Sequence, residues 1–221
     1  MKNKYEKRID ALRSAIAEKH IDGLYVSHPA NVSYFTGKKG DDCALWISGE
    51  EAVILTDFRY MEMALELDWL KFQQTSANRR TVDFLSELAA VNIGVEKDHL
   101  MLGTYLEFTE KLSGKRIVPV SGLVEKLREI KDEEEIGYIR MAEEISCDAF
   151  NYICSKIRPG VSERTIATEL EYYMLTHGGE GLSFDTICVS GAKSSYPHGV
   201  PGEKLIERGD FVTLDFGCVV N

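Results

Sequence analysis

The stretch Phe211-Val212-Thr213-Leu214-Asp215-Phe216-Gly217 lies near the end of a 221-residue chain, and its reading decides the fold. Alternation places Val212, Leu214 and Phe216 on one face of a strand and Phe211, Thr213 and Asp215 on the other. Aspartate is depleted in strands and an unpaired buried carboxylate is costly, so Asp215 needs hydrogen bonds, a cation or a water-filled cleft. Two readings stand. A hard carboxylate on a rigid strand suits a divalent ion such as manganese, cobalt or zinc; an aspartate satisfied by loop amides, or facing solvent, needs none. The strand continues as an apolar run to Val220 and stops at Asn221, a residue that favours hairpin turns. Nothing there blunts an exposed edge with charge or proline, so the chain is expected to be truncated before a partner strand.

Upstream, Thr186 to Val189 reads as a strand and Ser190 to Gly202 as a loop. Within that loop, Pro197-His198-Gly199-Val200-Pro201-Gly202 fixes the backbone around one imidazole. His198 is either a hydrogen-bond donor to a substrate carbonyl or developing oxyanion, or a solvated turn residue. Before the loop come two helices. Asp132 with Glu135 makes a capping-box start, and Ile136, Ile139, Ala142, Ile145, Ala149, Ile153 and Ile157 form an apolar stripe that ends at Pro159-Gly160. Ser162 opens the second helix, with Ile166, Leu170, Tyr173 and Met174 on one side, closed by Gly178-Gly179.

The first half differs. Tyr5, Ile9, Leu12 and Ile16 recur at helical spacing and give way, after Asp22-Gly23, to a strand at Leu24-Tyr25-Val26. Apolar runs at Ala44 to Ile47, Val53 to Leu55, Ile93 to Val95 and Ile117 to Val120 alternate with helical stretches near Phe58 to Leu67, Val82 to Leu88 and Tyr105 to Leu112. This predicts an α/β layer with a mostly parallel sheet. A charged helical stretch follows Ser121-Gly122, and the domain boundary is placed there, giving domains 1–125 and 126–221.

Composition excludes several classes. With 44% hydrophobic and 28% charged residues the chain is globular, neither disordered nor collagen-like. It has no apolar run long enough for a membrane span, and the opening MKNKYEKRID lacks the core of a signal peptide, so the expected compartment is the cytoplasm. A net charge of −10, without a basic patch, argues against nucleic acid. Five cysteines without a C-x-x-C pair read as reduced, mostly buried small hydrophobes; Cys147 and Cys154, on one helix face, read as packing. His20 and His177 lie at helix ends, His28 precedes a proline and His99 follows Asp98, and none has H-E-x-x-H spacing. Arg59 reads as a structural ion-pair or interface residue.

The order Ser183-Phe184-Asp185-Thr186-Ile187, Ser190-Gly191, Pro197-His198-Gly199-Val200-Pro201, Gly209-Asp210 and Leu214-Asp215-Phe216-Gly217 resembles the core of the Xaa-Pro aminopeptidase and Xaa-Pro dipeptidase family. Asp22-Gly23-Leu24, Asn31-Val32-Ser33-Tyr34-Phe35-Thr36-Gly37 and Leu55-Thr56-Asp57-Phe58-Arg59-Tyr60 resemble that family's creatinase-like domain. Leu127-Arg128-Glu129-Ile130-Lys131 is similar to its interdomain junction. The resemblance covers nearly the whole chain. It implies a creatinase-like N-terminal α/β domain followed by the first part of a pita-bread α+β catalytic domain.

By the same resemblance, two divalent ions, manganese first and cobalt or zinc as alternatives, are held by two Asp, one His and two Glu, and water they activate attacks the bond before proline. Asp215 would be the first metal ligand, and His198 the catalytic histidine that contacts substrate and stabilises the tetrahedral intermediate. The other ligands would fall beyond Asn221, so the activity would belong to a longer parent and this chain alone would be inactive. Short proline-containing peptides are the implied substrates and a homodimer the implied assembly. Two further classes compete: a metal-free creatinase-like hydrolase using a histidine as acid and base, and a non-catalytic pita-bread module that binds peptide or protein.

Overall fold

The computed structural model describes residues 3–221. The chain divides into two compact units, the first ending at Ile130 and the second starting at Lys131.

In the first unit, Asn3 and Glu6 form a capping box that starts α1 (Lys4–Glu18), which buries Ile9, Leu12 and Ile16. There follow β1 (Gly23–Val26), α2 (Pro29–Thr36), β2 (Ala44–Ser48), β3 (Ala52–Thr56), a 3-10 turn at Phe58–Tyr60 and α3 (Met61–Leu65). Then come β4 (Lys71–Gln74), α4 (Thr81–Glu87), β5 (Asn92–Glu96), α5 (Leu102–Lys111), β6 (Arg116–Val120) and α6 (Leu123–Glu129). The six strands form one sheet in the order β4-β3-β2-β1-β5-β6.

The sheet is mixed and, as expected, mostly parallel: five of its strands run in one direction and β2 alone is reversed. β3–β4, β1–β5 and β5–β6 are parallel, while β1–β2 and β2–β3 are antiparallel. Only Gly49, Glu50 and Glu51 separate β2 from β3, a length that permits a hairpin and forbids a helical crossover. β4 was not foreseen, because Lys71-Phe72-Gln73-Gln74 at the sheet edge lacks the apolar pattern of a buried strand.

Alternation along the strands feeds two cores. Leu24, Val26, Leu45, Ile47 and Ile54 face the helices α1, α2 and α6 together with Leu12, Phe35 and Val124. Tyr25, Trp46, Val53 and Val95 face α4 and α5 with Leu85 and Phe108. Burying each such large side chain contributes about 1.5–3 kcal/mol. Leu123 and Val124 tie α6 to the first core, so the compact division falls after that helix, beyond the 125/126 boundary expected from composition.

The second unit begins with α7 (Glu133–Cys154), where Asp132 and Glu135 each accept the other's backbone N–H at 2.9 Å. It continues through α8 (Glu163–Thr176), β7 (Gly181–Leu182), β8 (Ile187–Ser190), a 3-10 turn at Gly191–Ser195, β9 (Val212–Asp215) and β10 (Cys218–Val219). The apolar run from Phe211 to Val220 is broken at Phe216-Gly217: β9 pairs antiparallel with β8, and β10 pairs antiparallel with β7. One run thereby serves two partners. Val212, Leu214 and Phe216 pack on a core of Ala149, Ile153, Ile166, Leu170, Met174 and Cys188, on the side that alternation assigned them.

One expectation needs correction here. Cys147 and Cys154 do share a face of α7, but it is the exposed one; Cys43, Cys188 and Cys218 are buried. The stripe on α7 is buried at Ala149 and Ile153, whereas Ile139 is 57% exposed.

Candidate functional site

The 21 residues between Ser190 and Val212 leave the end of β8 and return to the start of β9, so the loop carrying His198 and the strand carrying Asp215 belong to one hairpin-like unit. Asp215 is the last residue of β9, in register with Ile187, and is exposed. Among the described residues its carboxylate has neither hydrogen bond nor ion pair: it is not held by loop amides but faces solvent, which leaves open both the solvated reading and the cation reading of Asp215. His198 sits in an exposed turn, and its ring likewise has no hydrogen-bond partner among the described residues.

The loop shape is set by a residue that the sequence reading passed over. Glu163, the first residue of α8, is fully buried. Its Oε1 accepts the Ser190 N–H at 2.7 Å and the Ser190 hydroxyl at 3.1 Å. Its Oε2 accepts from Lys193 Nζ at 2.7 Å and from the Gly202 N–H at 3.1 Å. Lys193 Nζ also donates to the Val200 carbonyl at 2.8 Å. One carboxylate therefore ties both shoulders of the turn that presents His198. Burial pushes the Glu163 carboxyl up, but Lys193 and the amides of Ser190 and Gly202 outweigh it and hold the group below its ordinary value.

Lys204 extends the network. Its Nζ donates to Asp210 Oδ2 at 2.6 Å and to the Ser190 hydroxyl at 3.1 Å, and Lys204 holds the Asp210 carboxyl below its usual range. Packing adds a second constraint: a Cβ on Gly199 would lie 2.7 Å from Val189 Cγ1, so only glycine lets the turn approach β8. Sequence alone gave one weak signal for Glu163. An acid just after the Ser162 cap favours a helix start, which is reason enough for it without a loop to hold.

Beside Phe216 and Gly217, a groove of about 570 Å³ is lined by Ile139, Glu143, Cys147 and Phe150 of α7. Desolvation and the neighbouring Glu143 raise the Cys147 thiol, which disfavours a nucleophilic thiolate there. Arg59 forms ion pairs with Asp57 and Asp42, in keeping with the structural role expected of it.

An α/β unit followed by an α+β unit with an aspartate-bearing strand defines the class: a creatinase-like domain joined to pita-bread elements. The chain belongs to the family so built, with the Creatinase/Prolidase N-terminal domain matching residues 8–130 and Metallopeptidase family M24 matching residues 137–221. An uncharacterized peptidase of Bacillus subtilis, YqhT, is 39% identical over 96% of this chain and 61% of its own length. The Xaa-Pro dipeptidase of Pyrococcus furiosus is 32% identical over 98% of this chain and 62% of its own. Among solved structures, an Xaa-Pro dipeptidase from Bacillus anthracis superposes with a TM-score of 0.91 at 39% identity, covering 97% of this chain and 61% of that one. The chain thus spans about three-fifths of the length of these relatives.

Membership of the M24 metallopeptidases implies divalent metals. Asp215 fits as one ligand, since a hard, unpartnered carboxylate oxygen on a paired strand suits a divalent cation. A single carboxylate does not hold a metal pair. No helix among the described residues is long and apolar enough to cross a membrane.

Proposed function

We propose that a protein of the relatives' full length carrying this chain hydrolyses the Xaa-Pro bond of short peptides. The observation that carries this reading is the unpartnered Asp215 carboxylate at the end of β9, on the same hairpin as a His198 turn pinned by the ion pair of buried Glu163 with half-buried Lys193. In the proposal Asp215 is a ligand of one of two divalent ions, with manganese as the first choice and cobalt or zinc as alternatives. When bound, such ions supply an activated water and polarise the scissile carbonyl.

The chain's own residues orient. Glu163 and Lys193 fix the turn, so that the His198 ring faces substrate without reorganising, and His198 donates a hydrogen bond to the carbonyl oxygen as negative charge develops there. The groove beside Phe216 gives apolar surface next to that strand. Short proline-containing peptides are the proposed substrates, the working assembly is a homodimer, and the compartment is the cytoplasm.

Release of proline from Ala-Pro, compared with cleavage of an Xaa-Pro-Xaa tripeptide, tests the reaction and separates dipeptidase from aminopeptidase. Chelator-sensitive cleavage before proline supports the proposal. Chelator-resistant hydrolysis would favour a metal-free hydrolase, and peptide binding without turnover a binding module. Replacing His198 by Ala should lower kcat by roughly 100-fold with a smaller change in KM, the loss of one oxyanion donor.

A further inference from the structure

We propose that His28, His99 and Glu125 of the first unit form a binding site for a divalent transition ion of the zinc class. These residues come from three places: the turn after β1, the turn after β5, and α6. The fold brings one ligand atom from each within 4.8 Å of the others. The imidazoles of His28 and His99 stack with centroids 3.6 Å apart, and His99 Nε2 lies 3.7 Å from Glu125 Oε1. Two imidazoles and one carboxylate are the donor set that zinc takes in sites that keep a fourth position open.

Tetrahedral bonds to nitrogen and oxygen put ligand atoms roughly 3.3 Å apart, so binding asks the widest pair to close by about 1.5 Å, and because rings stacked at 20° cannot both aim an in-plane lone pair at one ion, it also asks His99 to turn out of the stack. His99, with its side chain 32% exposed and placed in a turn, can swing that far. His28 Nδ1 is buried without a hydrogen-bond partner, an orphaned nitrogen in a protein that satisfies nearly every other buried side-chain polar atom among the described residues. In a merely structural histidine pair that nitrogen would be expected to have a partner.

The groups behind the ligands are also in place. Asn31, fully buried, donates from Nδ2 to Glu125 Oε1 at 2.6 Å and to Glu96 Oε1 at 2.7 Å, while its Oδ1 accepts from Arg128 at 2.7 Å. Glu96 Oε2 accepts the backbone N–H of Ser27 at 2.6 Å and of His28 at 2.8 Å. The carboxylate ligand and the backbone that bears His28 are thus both oriented by one buried network, the arrangement that tunes metal ligands from outside. Two carboxylates against the single guanidinium of Arg128 leave formal negative charge to attract a cation.

The test is a zinc titration of the 221-residue chain by competition with a chromophoric chelator, alongside the visible absorption of added cobalt(II). The expected result is one equivalent bound with micromolar affinity and a tetrahedral cobalt spectrum. His99→Ala, whose side chain carries little of the fold, should weaken binding at least about 10-fold, as should Glu125→Gln, with far-UV circular dichroism unchanged. Asp215→Asn should leave binding as it was. Equal zinc affinity in wild type and His99→Ala, loss in Asp215→Asn instead, or no binding below millimolar zinc would each overturn the proposal.

Discussion

Each unit buries a glutamate that holds a histidine-bearing turn, and the two do it differently. In the first unit Glu96 is 5% exposed and, among the described residues, accepts only from neutral donors: backbone amides, the Ser27 hydroxyl and the Asn31 amide, which relays to Arg128. In the second, fully buried Glu163 meets a cation directly, Lys193 Nζ at 2.7 Å. A relay through an amide spreads charge over several partial bonds. A direct pair concentrates it, so losing one partner strands an ion. The second arrangement therefore depends more heavily on a single residue.

Breaking the direct pair should have the largest effect. Glu163→Ala leaves the amides of Ser190 and Gly202 without an acceptor and Lys193 without its counter-ion, holding only the Val200 carbonyl, and should destabilise the second unit by about 3–5 kcal/mol, read by denaturant unfolding of this chain. Glu163→Gln keeps the shape and should cost less. Breaking the relay with Asn31→Ala should cost about 2–3 kcal/mol, because Glu96, Glu125 and Arg128 each lose one bond but keep other partners or water. A cost equal to or above that of Glu163→Ala would erase the distinction.

The two can also be told apart by acid. Glu163 and Asp210 have folded values below ordinary ones, so the stability they contribute is full above the unfolded carboxylate range, about pH 4.3, and is lost as pH falls through the depressed values. Glu163→Gln should flatten the low-pH limb of the unfolding free energy, and Asn31→Ala should leave its slope in place. Smaller effects calibrate the rest. Gly199→Ala, pressed against Val189, should cost about 1–3 kcal/mol, and Asp132→Ala, outside both networks, about 1 kcal/mol from a lost helix cap.

What could be read in the sequence follows the range of the interactions. The Asp132–Glu135 cap, the faces of β9 and the two helices before it are set within a few residues, and they stand where periodicity put them. The hairpin between β2 and β3 was missed because Gly49-Glu50-Glu51 carries no strong turn signature, and β4 because a polar edge strand has none to show. Asp215 was legible as an oddity in a strand, and His198 as an imidazole in a rigid loop. Glu163 and the His28–His99 stack were not: Glu163 finds its partners 27 to 39 residues away, and the two histidines lie 71 residues apart in sequence. Only the fold brings such groups together. The peptidase reading rested on the resemblance of those motifs to a family, and the family matches bear that membership out.

The most direct test of the central claim, that Asp215 is a metal ligand of an Xaa-Pro peptidase, is the manganese content of the full-length protein with and without Asp215→Asn. Manganese prefers oxygen donors and leaves the histidine cluster of the first unit out of the count. The account predicts two ions in the wild type, at most one in the variant, and loss of Ala-Pro cleavage with it. Full manganese occupancy and undiminished cleavage in Asp215→Asn would contradict it.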